Sequence, residues 1–134
     1  MKIVVDDKIP YLKGNVETIS DEVVYMNGGD IDAAIVADAD VLIVRTRTRC
    51  DKSLLEGSKV KLVVTATIGY DHIDDAYCKE RGITWVSSPG CNANSVAQYV
   101  AAALVSLYGE EVRDKKIGLV GVGNVGKAVS AICK

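Results

Sequence analysis

The chain has 134 residues, a length that suffices for one domain with a real core, and a formal charge of only −2, which offers no nucleic-acid surface. Its four cysteines, Cys50, Cys78, Cys91 and Cys133, form no C-x-x-C pair; this argues against a zinc or other metal site and fits reduced thiols. The N-terminus enters a strand without a signal-peptide pattern, and the longest apolar stretch, Val96 to Tyr108, is interrupted by Gln98 and Ser106 and is too short for a membrane span. The expectation is a soluble, cytoplasmic protein with no membrane partner.

Strand-like and helix-like runs alternate along the chain. Lys2 to Asp6 predicts a first strand, and the three- and four-residue steps of Ile9, Leu12, Val16 and Ile19 predict a helix that Gly14 weakens. Glu22 to Met26 predicts a second strand ended by Asn27-Gly28-Gly29, and Ile31, Ala34, Ile35 and Ala39 a short helix. Val41 to Val44 predicts a buried third strand. Asp51 is placed to cap a short helix carrying Leu54 and Leu55, which Gly57 ends. Leu62 to Thr65 predicts a fourth strand, Asp74 to Arg81 a helix, and Ile83 to Val86 a fifth strand. Short apolar strands joined by helices imply a parallel sheet covered on both faces, here a flavodoxin-like layer domain ending near Pro89.

From Asn92, read as an N-cap, a long helix runs to Gly109. It is apolar nearly all round, so it needs burial on every side, between domains or subunits. The charged stretch Glu110 to Lys116 then leads into Ile117, Leu119, Val120 and Val122, a run of strand character. Gly121, Gly123 and Gly126 follow with the spacing G-x-G-x-x-G, and Ala128, Val129 and Ile132 continue at helical period. In a dinucleotide site the first glycine allows the tight turn, the second admits the pyrophosphate, and the third lets helix and strand pack closely. The phosphates would sit on free N–H groups at the helix N-terminus. The plain alternative is a glycine-rich turn without ligand. The acidic residue that would hold the ribose is expected about twenty residues beyond the glycines, so the chain reads as the front part of a dinucleotide enzyme.

Several residues outside the glycines bear chemistry. Arg45 to Arg49 follow the third strand, at the carboxyl end where ligands bind in open parallel sheets. Arg47 and Arg49 suit a carboxylate or phosphate, or equally a solvated basic loop. Gly69 permits a turn after the fourth strand whose N–H groups could cup an anion, or a plain strand-helix turn. His72, the only histidine, sits among Asp71, Asp74 and Asp75 at a helix start and is read as a structural hydrogen-bonding neighbour rather than a general base. Asp6 and Asp7 suit a magnesium-binding phospho-acceptor domain. However, the third strand ends in Arg45 where the acceptor aspartate belongs, and the fifth runs into Ser87-Ser88-Pro89 where a lysine belongs. The two acids are therefore read as structural, one capping the next helix.

The ordered motifs VRTRT at Val44 to Thr48, TATIGYDHID at Thr65 to Asp74, PGCNANSVAQYV at Pro89 to Val100 and IGLVGVGNVG at Ile117 to Gly126 resemble those of the D-2-hydroxyacid dehydrogenases. The resemblance runs through the whole chain. It implies an α/β fold: a substrate-side flavodoxin-like domain over 1–91, a linking helix over 92–109, and the first strand and helix of a Rossmann domain over 110–134. It implies hydride transfer between NAD and C2 of a small hydroxy acid, here a phosphorylated one. It also implies a homodimer built partly on the long helix. Thr46 and Thr67 resemble substrate-binding hydroxyls, and the backbone of Ile68 and Gly69 resembles a carboxylate cradle. Asn124 and Val125, with Gly121, Gly123 and Gly126, resemble the NAD pyrophosphate site. The family's catalytic arginine, carboxylate and histidine are expected beyond Lys134, so no catalytic residue is expected within the chain and the isolated chain is expected to be inactive. His72 matches a different motif. Gln98 stands where the family usually has glutamate. A non-enzymatic anion-binding module is the alternative from another class, and a phosphoglycerate- or glyoxylate-type dehydrogenase is the alternative within the family.

Overall fold

A computed structural model describes residues 1–133, which form two compact units, Met1 to Ser88 and a second from Pro89 onward. The first unit is built on five parallel strands: β1 (Lys2–Asp6), β2 (Glu22–Met26), β3 (Val41–Val44), β4 (Leu62–Thr65) and β5 (Thr84–Val86). Their order is β2-β1-β3-β4-β5, the flavodoxin-like arrangement whose direction reverses between β1 and β3. Alternation along β1 divides the core: Val4 joins Leu42, Val44 and Val63 on one face, while Ile3 and Val5 meet Val16 on the other.

Three short helices cover the Val4 face. In α1 (Ala33–Val36), α2 (Lys52–Leu55) and α3 (Asp75–Glu80), the apolar residues Val36, Leu54, Leu55, Tyr77 and Cys78 point into the larger core. Each is started by an aspartate whose carboxylate accepts from a first-turn N–H: Asp32 from Ile35, Asp51 from Ser53 and Asp74 from Tyr77. Gly57, at φ +73°, turns the chain out after α2 in a conformation that side chains rarely adopt. Trp85 of β5 packs against Tyr70 at a tilt of 39°, with ring centroids 4.8 Å apart, and donates to Asp75 at 2.8 Å.

The expected helix over 9–19 does not form. Tyr11 at φ +63° and Gly14 at φ +89° break the helical path, and turns lead to a single 3-10 turn at Val16–Thr18. Within the first unit the second sheet face therefore carries only a small cluster, so the even two-sided cover expected from the alternating pattern is uneven. With no helix after β1, neither Asp6 nor Asp7 serves as a helix cap.

The second unit contains α4 (Ala93–Tyr108), a 3-10 segment (Gly109–Asp114) and α5 (Asn124–Ile132). Asn92 occupies the N-cap position of α4, but its side chain makes no capping bond, contrary to the sequence expectation. Only Ala93 and Ala97 of α4 are buried; Tyr99, Val105 and Leu107 are exposed, so burial on every side is absent among the described residues. Ile117 to Val122, expected as a strand, joins no ladder, and Val120 is fully exposed. A parallel strand needs a neighbour across a crossover, and none stands beside this segment among the described residues. No described helix is long and apolar enough to cross a membrane, and no described cluster could hold a metal ion.

Candidate active site

Two loops meet at the carboxyl ends of β3 and β4. Cys50 closes the first loop and pairs across a parallel bridge with Ile73 of the second. Cys50 N–H donates to His72 O at 2.8 Å, and Asp74 N–H donates to Cys50 O at 2.9 Å. Burial holds the Cys50 thiol protonated, its pKa pushed up to about 12, so this residue acts here as a small apolar wedge. The bridge brings Thr46, Arg49, Gly69, Asp71 and His72 around one open cavity of 390 Å³.

The first loop is anchored from behind. Asp6, fully buried at the end of β1, receives two bonds from the Arg45 guanidinium, Nε to Oδ2 at 2.9 Å and Nη2 to Oδ1 at 3.1 Å. Burial alone pushes the Asp6 carboxyl up, but the Arg45 hydrogen bonds, the Lys8 N–H and the two nearby positive charges outweigh it and leave the pKa below the ordinary carboxylate value. Thr48, also buried, donates to Gly28 O at 2.8 Å. Gly28 must be glycine, because a Cβ there would run into the Asp6 carboxylate. These contacts pin residues 45–48 at the point where the sheet order reverses, leaving Thr46 and Arg47 exposed. Arg49 pairs with Asp51 at 3.0 Å on the surface.

The second loop is anchored by hydroxyls. Thr65, fully buried, lies 2.9 Å from His72 Nε2 and 2.7 Å from the Thr67 hydroxyl, and Thr67 donates to Gly69 O at 2.8 Å. Burial lowers the His72 pKa, and the nearby Asp71 charge only partly opposes this. Among the described residues, no hydrogen-bond acceptor faces the backbone N–H of Ile68 or Gly69. Gly69 lacks the positive φ expected of a turn glycine, and a Cβ there would meet nothing closer than Asp71 Oδ2 at 3.9 Å. Thr46 and Gly69 thus line the cavity, Thr67 braces its edge, and Ile68 lies exposed beside it. The ion pair of Asp6 with Arg45 and the part played by Thr65 were missed in the sequence. The available signal for Thr65 was its two-residue spacing from Thr67.

In the second unit, Gly121 has φ +89°, and a Cβ on Gly126 would collide with the Gly121 carbonyl. The fold itself demands these two glycines. Gly123, at φ −78°, has open space where a Cβ would stand, so nothing in the chain requires glycine there. It precedes α5 and offers no side-chain cap to that helix. Asn124 lies against Gly90, whose φ is +81°, and a Cβ on Gly90 would come within 3.1 Å of it. Val125 is half-buried in the first turn of α5.

Residues 3–130 match the family model described as D-isomer specific 2-hydroxyacid dehydrogenase, catalytic domain. The erythronate-4-phosphate dehydrogenase of Bacteroides fragilis is 56% identical over 137 residues, a match covering 100% of this chain and 39% of that protein. The enzyme of the same name from Escherichia coli is 43% identical over 134 residues, covering 98% of this chain and 35% of that protein. The structure of NAD+-bound 3-phosphoglycerate dehydrogenase from Entamoeba histolytica superposes with a TM-score of 0.68 at 30% identity, over 99% of this chain and 50% of that one. An acyclic imino acid reductase in complex with NADPH and D-Arg superposes with a TM-score of 0.77 at 26% identity, over 99% of this chain and 52% of that one. The chain thus spans about two fifths of the length of the curated relatives it matches.

Proposed function

Because the chain belongs to the D-isomer specific 2-hydroxyacid dehydrogenases, we propose that it supplies the substrate side and the first nucleotide-binding turn of an erythronate-4-phosphate dehydrogenase. The reaction is oxidation of 4-phospho-D-erythronate by NAD+ to 2-oxo-3-hydroxy-4-phosphobutanoate, with release of NADH and a proton, in pyridoxine phosphate biosynthesis. The observation that carries this reading is the joining of the two loops by Cys50 and Ile73. That bridge sets Thr46 beside a turn whose Ile68 and Gly69 N–H groups have no partner among the described residues.

The chain's own residues bind and orient. The Ile68 and Gly69 N–H groups would receive the substrate carboxylate, Thr46 offers its hydroxyl to a substrate oxygen, and Thr67, whose proton goes to the Gly69 carbonyl, offers an oxygen that accepts from a substrate hydroxyl. Arg47, exposed and free of any ion pair among the described residues, is available to the phosphate. The residues from Gly121 onward fit a dinucleotide: Gly121 and Gly126 build the turn, while the absence of a side chain at Gly123 leaves backbone N–H groups open to a pyrophosphate. Asn124 and Val125 stand in the first turn of α5 at the same place. NAD, when bound, accepts the hydride from C2. The domain boundaries are proposed as 1–91, 92–109 and 110–134. The exposed Tyr99 and Leu107 on α4 favour a homodimer, and the proposed location is the cytoplasm.

The test is oxidation of 4-phospho-D-erythronate by the full-length protein, followed by NADH absorbance. NADH is expected with this substrate, with a kcat/KM well above those for 3-phosphoglycerate and glycolate. Preference for either of these would overturn the substrate assignment. Thr46→Val is expected to raise the substrate KM about ten-fold through one lost hydrogen bond to a charged group. The 134-residue polypeptide by itself is expected to yield no NADH.

A further inference from the structure

We propose that His72 is a positioning residue: a fixed hydrogen-bond donor at the head of a one-way hydroxyl chain that sets how Thr67 meets the substrate. This rests on the reading of Thr67 as a substrate-binding residue. The proton order follows from counting hydrogens. Gly69 O is a carbonyl and can only accept, so the single Thr67 proton lies on that bond. In the 2.7 Å contact between the two threonines, Thr65 must then be the donor. Thr65 thereby spends its only proton, so in its 2.9 Å contact with His72 it must accept, and the imidazole carries its hydrogen on Nε2.

The order therefore runs from His72 Nε2–H to Thr65, then to Thr67, then to the Gly69 carbonyl. Thr65 is fully buried and His72 nearly so, which shields the link between them from water, while the Thr65–Thr67 link is half-buried and the Thr67–Gly69 link is exposed at the cavity. The lowered pKa of His72 keeps the ring neutral near pH 7, so the tautomer is a real choice that the Thr65 oxygen makes. What remains at Thr67 for a ligand is one lone pair, so it meets the ligand first as an acceptor. The Gly69 carbonyl and the Thr67 hydroxyl are fixed by the same bond, which ties the shape of the anion-cradling turn to the buried ring. Protonation adds a hydrogen at Nδ1 and leaves Nε2–H in place, so the chain keeps its direction in acid.

Two measurements on the full-length protein test this. In a long-range proton–nitrogen correlation spectrum, with the His72 signals identified by their loss in His72→Gln, the neutral ring is expected to be protonated at Nε2 and bare at Nδ1. Protonation at Nδ1 would overturn the proposal. In kinetics, His72→Phe is expected to raise the KM for 4-phospho-D-erythronate about ten-fold, leaving kcat within about two-fold and the KM for NAD unchanged. His72→Gln returns an amide donor near the Nε2 position and is expected to restore most of the loss. Thr65→Val is expected to reproduce the His72→Phe effect, and the double variant to be no worse than either single one.

Equal losses in the KM of both substrates, or no rescue by glutamine, would reduce His72 to a packing residue. If His72→Phe does not fold, the spectrum, the glutamine variant and Thr65→Val decide. If the protein does not oxidise the substrate at all, the functional reading fails while the spectrum still decides the proton order.

Discussion

The two units use similar apolar sequence to different effect. In the first, every strand has a hydrogen-bonded neighbour, and residues such as Val4, Leu42 and Val63 lose all exposure. In the second, Ile117 to Val122 has equally strand-like composition but no neighbour among the described residues, and it forms no ladder. Strand formation is thus a property of pairs of segments rather than of one segment. The glycine turn behaves otherwise. Gly121 takes its positive φ, and Gly126 lies against the Gly121 carbonyl, although the preceding residues form no strand. Turn geometry is local, and a sheet is not.

The largest test of this contrast is at the Asp6–Arg45 pair, where two strand ends of the first unit depend on each other. Arg45→Met leaves a fully buried carboxylate with only the Lys8 N–H for company. It is expected to cost about 3 kcal/mol of unfolding free energy near neutral pH. Urea unfolding followed by Trp85 fluorescence measures it, since the chain's single tryptophan lies in β5 and reports on the first unit. Adding Asp6→Asn should return part of the loss by removing the unpaired charge. A loss below about 0.5 kcal/mol would mean that the loop, and not the pair, holds the strand ends together.

The glycines give the next largest effect. Gly126→Ala drives a Cβ into the Gly121 carbonyl and is expected to destabilise the second unit by about 2 kcal/mol, read as an earlier loss of helical circular dichroism. Gly123→Ala meets open space at an ordinary φ and should leave stability unchanged, while weakening NAD binding in the full-length protein at least ten-fold. Equal destabilisation by both would show that Gly123 serves the fold and leave the nucleotide reading without its distinctive glycine.

The sequence revealed most where the physics is local. The ranges of β1 to β4 are those read from apolar runs, and the aspartate cap of α2 stands where residue type put it. Thr46 and Gly69 were legible as candidate contacts through the family motifs, and the fold brings them to one cavity. The helix over 9–19 failed because Tyr11 and Gly14 adopt positive φ, which apolar spacing does not register. Asp6 pairs with Arg45 across 39 positions of sequence, so reading its immediate neighbours could suggest a cap or a metal site but not its partner. The His72–Thr65 bond was hidden for a related reason. Only the folded turn brings together the ring and a hydroxyl seven positions away.

A smaller effect separates the units by pH. His72 lies in the first unit, and its folded pKa is below its ordinary 6.5. Between those two values the unfolded chain binds more protons, so stability falls as pH drops below about 6.5 and levels off beneath the folded pKa. The Asp6 contribution is present above its ordinary 3.8 and is lost only as pH falls further, through its lowered folded value. Trp85-monitored unfolding should therefore weaken in two separated steps, and His72→Gln should remove the upper one. A single step near pH 4 would assign acid sensitivity to the carboxylates alone.

The smallest expected effect is at Val120, and it tests the contrast from the other side. This residue is fully exposed and belongs to no ladder, so Val120→Lys in the 134-residue chain removes no packing and should change stability by less than about 0.5 kcal/mol. It should nevertheless change association, because an apolar segment with unpaired backbone groups offers an edge to another chain. Light scattering is expected to show self-association in the unaltered polypeptide and less of it in the variant. If Val120→Lys instead costs 2 kcal/mol or more, the segment already makes stabilising contacts in solution. The missing ladder would then no longer separate the second unit from the first.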